Sequence, residues 1–98
     1  MNRFKTLDLA LNLYQSSRVL AWTSVEKNQF DRAALRVVLN LKEGSSRPSA
    51  KERRRFYYIA LGSLREVQIL LEIKNYKDLM KQADITAAHL YKLCIRTN

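Results

Sequence analysis

Apolar residues recur along this chain at helical spacing. Leu7, Ala10, Leu11, Tyr14, Arg18 and Ala21 follow a helical period, and Leu9, Leu13 and Leu20 add a second apolar line. The pattern predicts a first helix from Leu7 to Trp22, buried on more than one side and capped by Thr6. Thr23 to Gln29 is polar apart from Val25 and reads as a short connection between antiparallel neighbours. Phe30, Ala34, Val37, Val38 and Leu41 form a second helical face, widened by Leu35 and Leu39. Arg32, Arg36, Asn40 and Glu43 remain as a narrow polar stripe, so this helix exposes little of itself in the finished particle. Gly44 is placed to end it.

The run from Gly44 to Ser49 is a loop, because glycine and serine favour turns and Pro48 disfavours helical geometry at Arg47. Ser49 with Glu52 three residues later is a capping-box signature for a third helix from Ala50 to Ile73. Phe56, Ala60, Ser63, Val67 and Leu70 form its seam, and its length of roughly 36 Å sets the height of a bundle. Gly62 in mid-helix costs ~1 kcal/mol relative to Ala, which points to close approach by another backbone. Register is lost at Asn75 and Tyr76. It resumes with Leu79, Ala83, Ala87, Leu90, Tyr91 and Cys94 as a fourth helix, with Asp78 and Asp84 near its start and Lys92 and Arg96 near its end, as the helix dipole favours.

The resulting expectation is one all-α domain over residues 1–98. Two glycines and one proline leave little material for hairpins. A core this small buries only roughly two-thirds of the unfolded surface, so a partner subunit would help. Asp8, Asn12 and Gln15 interrupt the first apolar segment, which predicts neither signal peptide nor membrane span and a cytoplasmic location. Cys94 is the only cysteine and His89 the only histidine, so no internal disulfide or single-subunit zinc site is expected, and Cys94 reads as a small core residue. No cofactor is implied.

Eighteen Lys and Arg against nine Asp and Glu give a formal net charge of +9. That excess attracts polyanions and makes nucleic acid the leading partner class. The densest cluster is Arg53, Arg54 and Arg55 with Lys51 and Arg47 just upstream. Three successive arginines cannot all face one way, but Arg54, Tyr58 and Arg65 share a helix face, combining phosphate contact with base stacking. A solvated helix start paired with Glu52 is the alternative reading. No second carboxylate or base is spaced to complete a reaction centre with Glu43, and His89 lacks an orienting group, so no catalytic residue is expected. Glu43 is placed to accept hydrogen bonds from Arg36, Arg47 or loop amides. The rings of Tyr57, Tyr58, Tyr76 and Tyr91 are expected to be buried, each keeping its hydroxyl near solvent or a partner.

Four elements agree in order and spacing with a known family: Arg32-Ala33-Ala34, then Asn40-x-x-Glu43-Gly44, then Arg47-x-Ser49, then Phe56-x-x-Ile59-Ala60-x-Gly62-Ser63-x-x-Glu66. The chain thereby resembles the proteins encoded by intervening sequences in bacterial large-subunit ribosomal RNA genes. Arg36 and Lys42 stand where that family usually has small residues, and Val38 where a proline is common. The resemblance implies an antiparallel up-and-down four-helix bundle, commonly a homopentameric ring with a central channel. It also implies a distant link to the accessory proteins of reverse transcriptases in diversity-generating retroelements. The expected function is binding without turnover, in which a homo-oligomer presents arginines to RNA or an RNA–DNA hybrid and linked weak contacts raise avidity. The alternative is a scaffold for a protein such as a reverse transcriptase.

Overall fold

A computed structural model describes residues 3–98. Helix α1 (Arg3–Ser16) is followed by a single 3-10 turn (Ser17–Val19), α2 (Ser24–Ser45), α3 (Ala50–Lys74) and α4 (Lys77–Arg96), with no strand among the described residues. Consecutive helices run antiparallel, α1 and α3 each packing against both α2 and α4, and the α2–α3 pairing is the most extensive. The particle measures 40 × 21 × 18 Å. At ~1.5 Å per residue α3 alone spans nearly the long dimension. The chain is thus an all-α antiparallel four-helix bundle.

Helix α1 starts earlier and stops earlier than the apolar pattern predicts. Thr6 lies inside the helix, fully buried, rather than at its cap. The apolar residues after Ser16 serve a different structure. The Ser17 hydroxyl donates to the Tyr14 carbonyl at 2.9 Å, and the Trp22 indole donates to Ser17 O at 3.0 Å, fixing the turn. The Trp22 ring sits 4.8 Å from Phe30 and edge-on to Tyr76 at 5.2 Å, closing this end of the bundle. The Tyr76 hydroxyl donates to the Ala21 carbonyl.

The polar stretch expected as a connection is instead the first turn of α2. Thr23 Oγ1 accepts from the Glu26 amide at 3.1 Å, and Glu26 Oε1 accepts from the Thr23 amide at 3.0 Å, a complete capping box. This turn is polar because most of it faces water, with Ser24, Val25, Asn28 and Gln29 all exposed. Ser49 caps α3, accepting from the Glu52 amide at 3.1 Å, which is one half of the expected capping box. Asn75, in the left-handed conformation at φ 57, ends α3, and the Tyr76 amide reaches back to the Leu71 carbonyl at 3.2 Å.

The core is built from Leu13, Phe30, Leu41, Tyr57, Leu64, Leu71 and Leu90, all almost fully buried. On α3 the buried aromatic is Tyr57, whose hydroxyl lies 3.3 Å from Ser45 Oγ, and its neighbour Phe56 is only half-buried. Cys94 is buried as expected, and burial pushes its thiol up to about 11.

Neither glycine has the role read from the sequence. Gly44 does not end α2, because the helix continues through it to Ser45. It is buried, and a Cβ there would lie 2.8 Å from Tyr57 Cε1 and 3.0 Å from Phe56 Cβ, so Gly44 is the point of close approach between α2 and α3. Gly62 is exposed, and a Cβ there would meet nothing within 4 Å. The expected close approach at Gly62 is therefore absent within the chain.

Lys74 Nζ lies 2.8 Å from Glu26 Oε1, joining the last turn of α3 to the first of α2. The hydrogen bond from Lys74, helped by the Thr23 amide, holds the Glu26 carboxyl below its usual range, and the same bond raises Lys74. A carboxyl depressed on folding contributes stability above its unfolded pKa and loses that contribution as pH falls through its folded pKa. Glu26→Gln is accordingly expected to lower the melting temperature at neutral pH and to matter little once the carboxyl is protonated in strong acid. Melting curves of both proteins across pH test this.

Candidate nucleic-acid interface

The cations of the chain divide into those tied down and those left free. All four ion pairs among the described residues involve α2: Lys27–Asp31, Arg36–Glu66, Arg47–Glu43 and Lys74–Glu26. The flank of the bundle near α2 therefore holds these pairs, although Arg32 and Lys42 on the same helix stand outside them. Arg36 crosses to α3, giving 2.8 Å to Glu66 and 3.5 Å from its Nε to the buried Ser63 hydroxyl, so this large side chain serves helix pairing. Asn40 donates to the Arg36 carbonyl at 2.8 Å. Glu43 accepts from Arg47, one of the partners expected for it, while Arg36 goes to Glu66 instead.

The arginine cluster at the start of α3 separates into individual tasks. Arg47 stacks 4.8 Å over the Phe56 ring while paired with Glu43. Arg53 Nη1 donates to the carbonyls of Arg47 at 3.1 Å and Pro48 at 3.0 Å, stapling the α2–α3 loop. Arg54 Nη1 donates to the Thr97 carbonyl at 3.0 Å, fastening α3 to the end of α4. These three arginines hold the fold. Lys51 and Arg55 are exposed, with Arg55 also lying 5.7 Å from the centre of the Phe56 ring.

Two contacts fix how α3 lies on α4: Gln68 Nε2 donates to Asp84 Oδ1 at 2.9 Å, and Arg54 reaches Thr97. Arg65 Nη1 donates to Gln68 Oε1 at 2.9 Å, so its guanidinium is oriented but keeps its charge exposed. Arg65 and Tyr91 line one shallow groove of about 340 Å³ with Gln68, Asp84, Ala87 and Ala88. Tyr58 is 47% exposed and Tyr91 49%, contrary to the burial expected for their rings. On α4, Lys77, Lys81, Lys92 and Arg96 are exposed and form no ion pair among the described residues. The sequence reading assigned Lys92 and Arg96 to the helix dipole and left Tyr91 and the two N-terminal lysines out of the site. Their signal was the spacing of Lys77, Lys81, Ala88, Lys92 and Ile95 along one side of α4, the side away from the core.

The outward side of α3 and the adjoining side of α4 carry Lys51, Arg55, Tyr58, Arg65, Tyr91 and Lys92, with the carboxylates of Glu72 and Asp84 among them. Cations can contact phosphates there, and the two exposed rings can stack on unpaired bases. Among the described residues no cluster of His, Cys, Asp and Glu is arranged to hold a metal ion. His89 is half-buried and its Nδ1 has no hydrogen-bond partner. Among the described residues no helix is long and apolar enough to cross a membrane.

Fold and charge together define a small basic four-helix bundle with its ion pairs on one flank and exposed tyrosines among cations on another. The profile of the 23S rRNA-intervening sequence proteins matches residues 4–97, and the chain belongs to that family. No curated protein and no solved structure is matched significantly.

Proposed function

We propose that this protein is a non-enzymatic, self-associating RNA-binding bundle whose interface is the α3–α4 face. The observation that carries the reading is the pair of exposed rings, Tyr58 and Tyr91, among cations that form no ion pair among the described residues, while the four ion pairs all involve α2. The family's name ties these proteins to genes for ribosomal RNA, which makes RNA the polyanion of choice. A ring of subunits, five by resemblance, would repeat the face and raise avidity through linked weak contacts.

The test is binding of single-stranded RNA across a range of salt concentrations by the parent and by a variant carrying Arg55→Gln, Arg65→Gln and Lys92→Gln. None of these three makes a bond that holds two helices together, so the fold is expected to survive. The logarithmic salt slope is expected to fall by roughly 2, at ~0.7 per lost phosphate contact, with weaker binding to every RNA sequence. Equal slopes would remove the interface from this face. Absence of binding by the parent at low salt would defeat the RNA reading and leave the face to an acidic protein partner.

A further inference from the structure

Arg65 and Asp84 line the same groove between α3 and α4, yet among the described residues they form no ion pair. Gln68 stands between them: its Oε1 accepts from Arg65 Nη1 and its Nε2 donates to Asp84 Oδ1, both at 2.9 Å. The bridge fixes the amide's orientation and holds a guanidinium and a carboxylate apart. Among the described residues Arg65 Nε and Nη2 remain as donors and Asp84 Oδ2 as an acceptor. A carboxylate repels phosphates, so a surface that met only the RNA backbone would gain nothing from Asp84.

Asp84, Ala88 and Tyr91 follow helical spacing on one face of α4, with Ala87 beside them, so only methyl side chains separate the carboxylate from the ring. The space above the alanines, about 340 Å³, is walled by Arg65 and Gln68 on the α3 side. The groove thus offers an aromatic surface, an acceptor and a cationic donor together. The Arg54–Thr97 and Gln68–Asp84 bonds set the register of the two helices, which puts Tyr91 level with Leu61, between Tyr58 and Arg65 along α3.

We infer that this groove binds an unpaired guanine base of the RNA, stacked on Tyr91, with Asp84 accepting from its donor edge and Arg65 donating to its acceptor edge. The inference rests on the RNA reading above and names the base that the face selects. Guanine sets its N1–H and 2-amino group side by side, which suits a carboxylate that only accepts, and its O6 and N7 are the acceptors an arginine recognises. Adenine and cytosine place a ring-nitrogen acceptor beside the amino group, and uracil flanks its one N–H with two carbonyls, so each turns a lone pair toward the carboxylate. An aromatic platform combined with contacts to the Watson–Crick edge is how splayed-out bases of single-stranded RNA are read. Glu72 lies on the adjoining stretch of the groove with Ile69 and Met80 and repels phosphates from that end. The strand therefore leads the other way, toward Tyr58 for the next base and toward Lys92 and Arg55 for the phosphates.

The test measures binding of a short oligouridylate carrying one central guanosine, and of the same oligomer with adenosine or inosine in its place, by the parent, Asp84→Asn and Tyr91→Ala. The parent is expected to prefer guanosine to adenosine by roughly tenfold or more, with inosine, which lacks the 2-amino group, in between. Asp84→Asn keeps an oxygen for Gln68 but turns the second acceptor into a donor. It is expected to abolish the preference and leave the salt slope unchanged. Tyr91→Ala is expected to weaken guanosine binding by roughly tenfold with unchanged helix content by circular dichroism, and it decides the matter even if Asp84→Asn fails to fold. Equal binding of all three oligomers by the parent would overturn the base site and leave the RNA reading standing. A preference that survives Asp84→Asn, or a Tyr91→Ala protein of parental affinity, would do the same. Guanosine monophosphate is expected to bind much more weakly than the oligomer, and equal affinity would overturn RNA as the source of the base. Failure of the parent to bind any oligomer at low salt would overturn this inference and the RNA reading together.

Discussion

Gly44→Ala is expected to lower the melting temperature by up to roughly 15 °C. The added methyl would lie 2.8 Å from Cε1 of Tyr57, and that ring is only 1% exposed, with core on every side. Overpacking of this kind costs typically ~1–3 kcal/mol, partly offset by the ~1 kcal/mol that Ala gains over Gly in a helix. Each remaining kcal/mol is worth about 4–8 °C in a domain of this size. The same methyl at Gly62 meets no atom of its own chain, so the subunit should be unharmed by it. Thermal unfolding of the two single variants side by side decides the matter. Equal melting temperatures would mean that α2 and α3 can separate at Gly44 without loss.

The contrast marks what a sequence pattern carries. Four helices, their order and most of the core followed from the 3.6-residue period, because burial on one side of a helix leaves that trace directly. A glycine leaves none, since the same residue serves to end a helix, admit a neighbour or stand open. Only the facing residue separates these cases, and Tyr57 is distant in sequence from Gly44. The α1–α2 boundary was misplaced for a related reason. The exposed first turn of α2 is as polar as a loop, although Thr23 and Glu26 stood at capping-box spacing.

Arg53→Gln is expected to destabilise the fold while leaving RNA affinity nearly unchanged, and Arg55→Gln to do the reverse. Arg53 gives two hydrogen bonds to the carbonyls of Arg47 and Pro48, whereas Arg55 is exposed and bonds to no carbonyl. Bonds from a charged donor are worth ~1.5–3 kcal/mol, and partial exposure of Arg53 places its loss near the lower bound, or roughly 5–12 °C. Thermal melts and RNA titrations of the two variants give the four numbers needed. If both weaken RNA binding equally and neither melts early, the cluster acts as one binding unit.

Adjacent arginines were thus legible as a charge cluster but not as separate tasks. Rotation of about 100° per residue sends Arg53 to the loop, Arg54 to the end of α4 and Arg55 to solvent. Which direction meets a carbonyl depends on where Pro48 and Thr97 come to rest, and no local pattern encodes that. Arg65 was placed in the candidate site from its helix face, and the structure adds the tyrosine across the groove, Tyr91.

The connections between helices also govern how the subunit forms. Residues 46–49 join α2 to α3, residues 75–76 join α3 to α4, and both α2 and α3 begin with a side-chain cap. Most packing is therefore between neighbours along the chain, a low contact order that places such bundles among the microsecond-to-millisecond folders. Encounter between subunits is slower and depends on concentration. A newly made chain thus completes its bundle before any such encounter, and the exposed leucines and isoleucines of α2 and α3 are presented by a finished surface instead of an unfolded one.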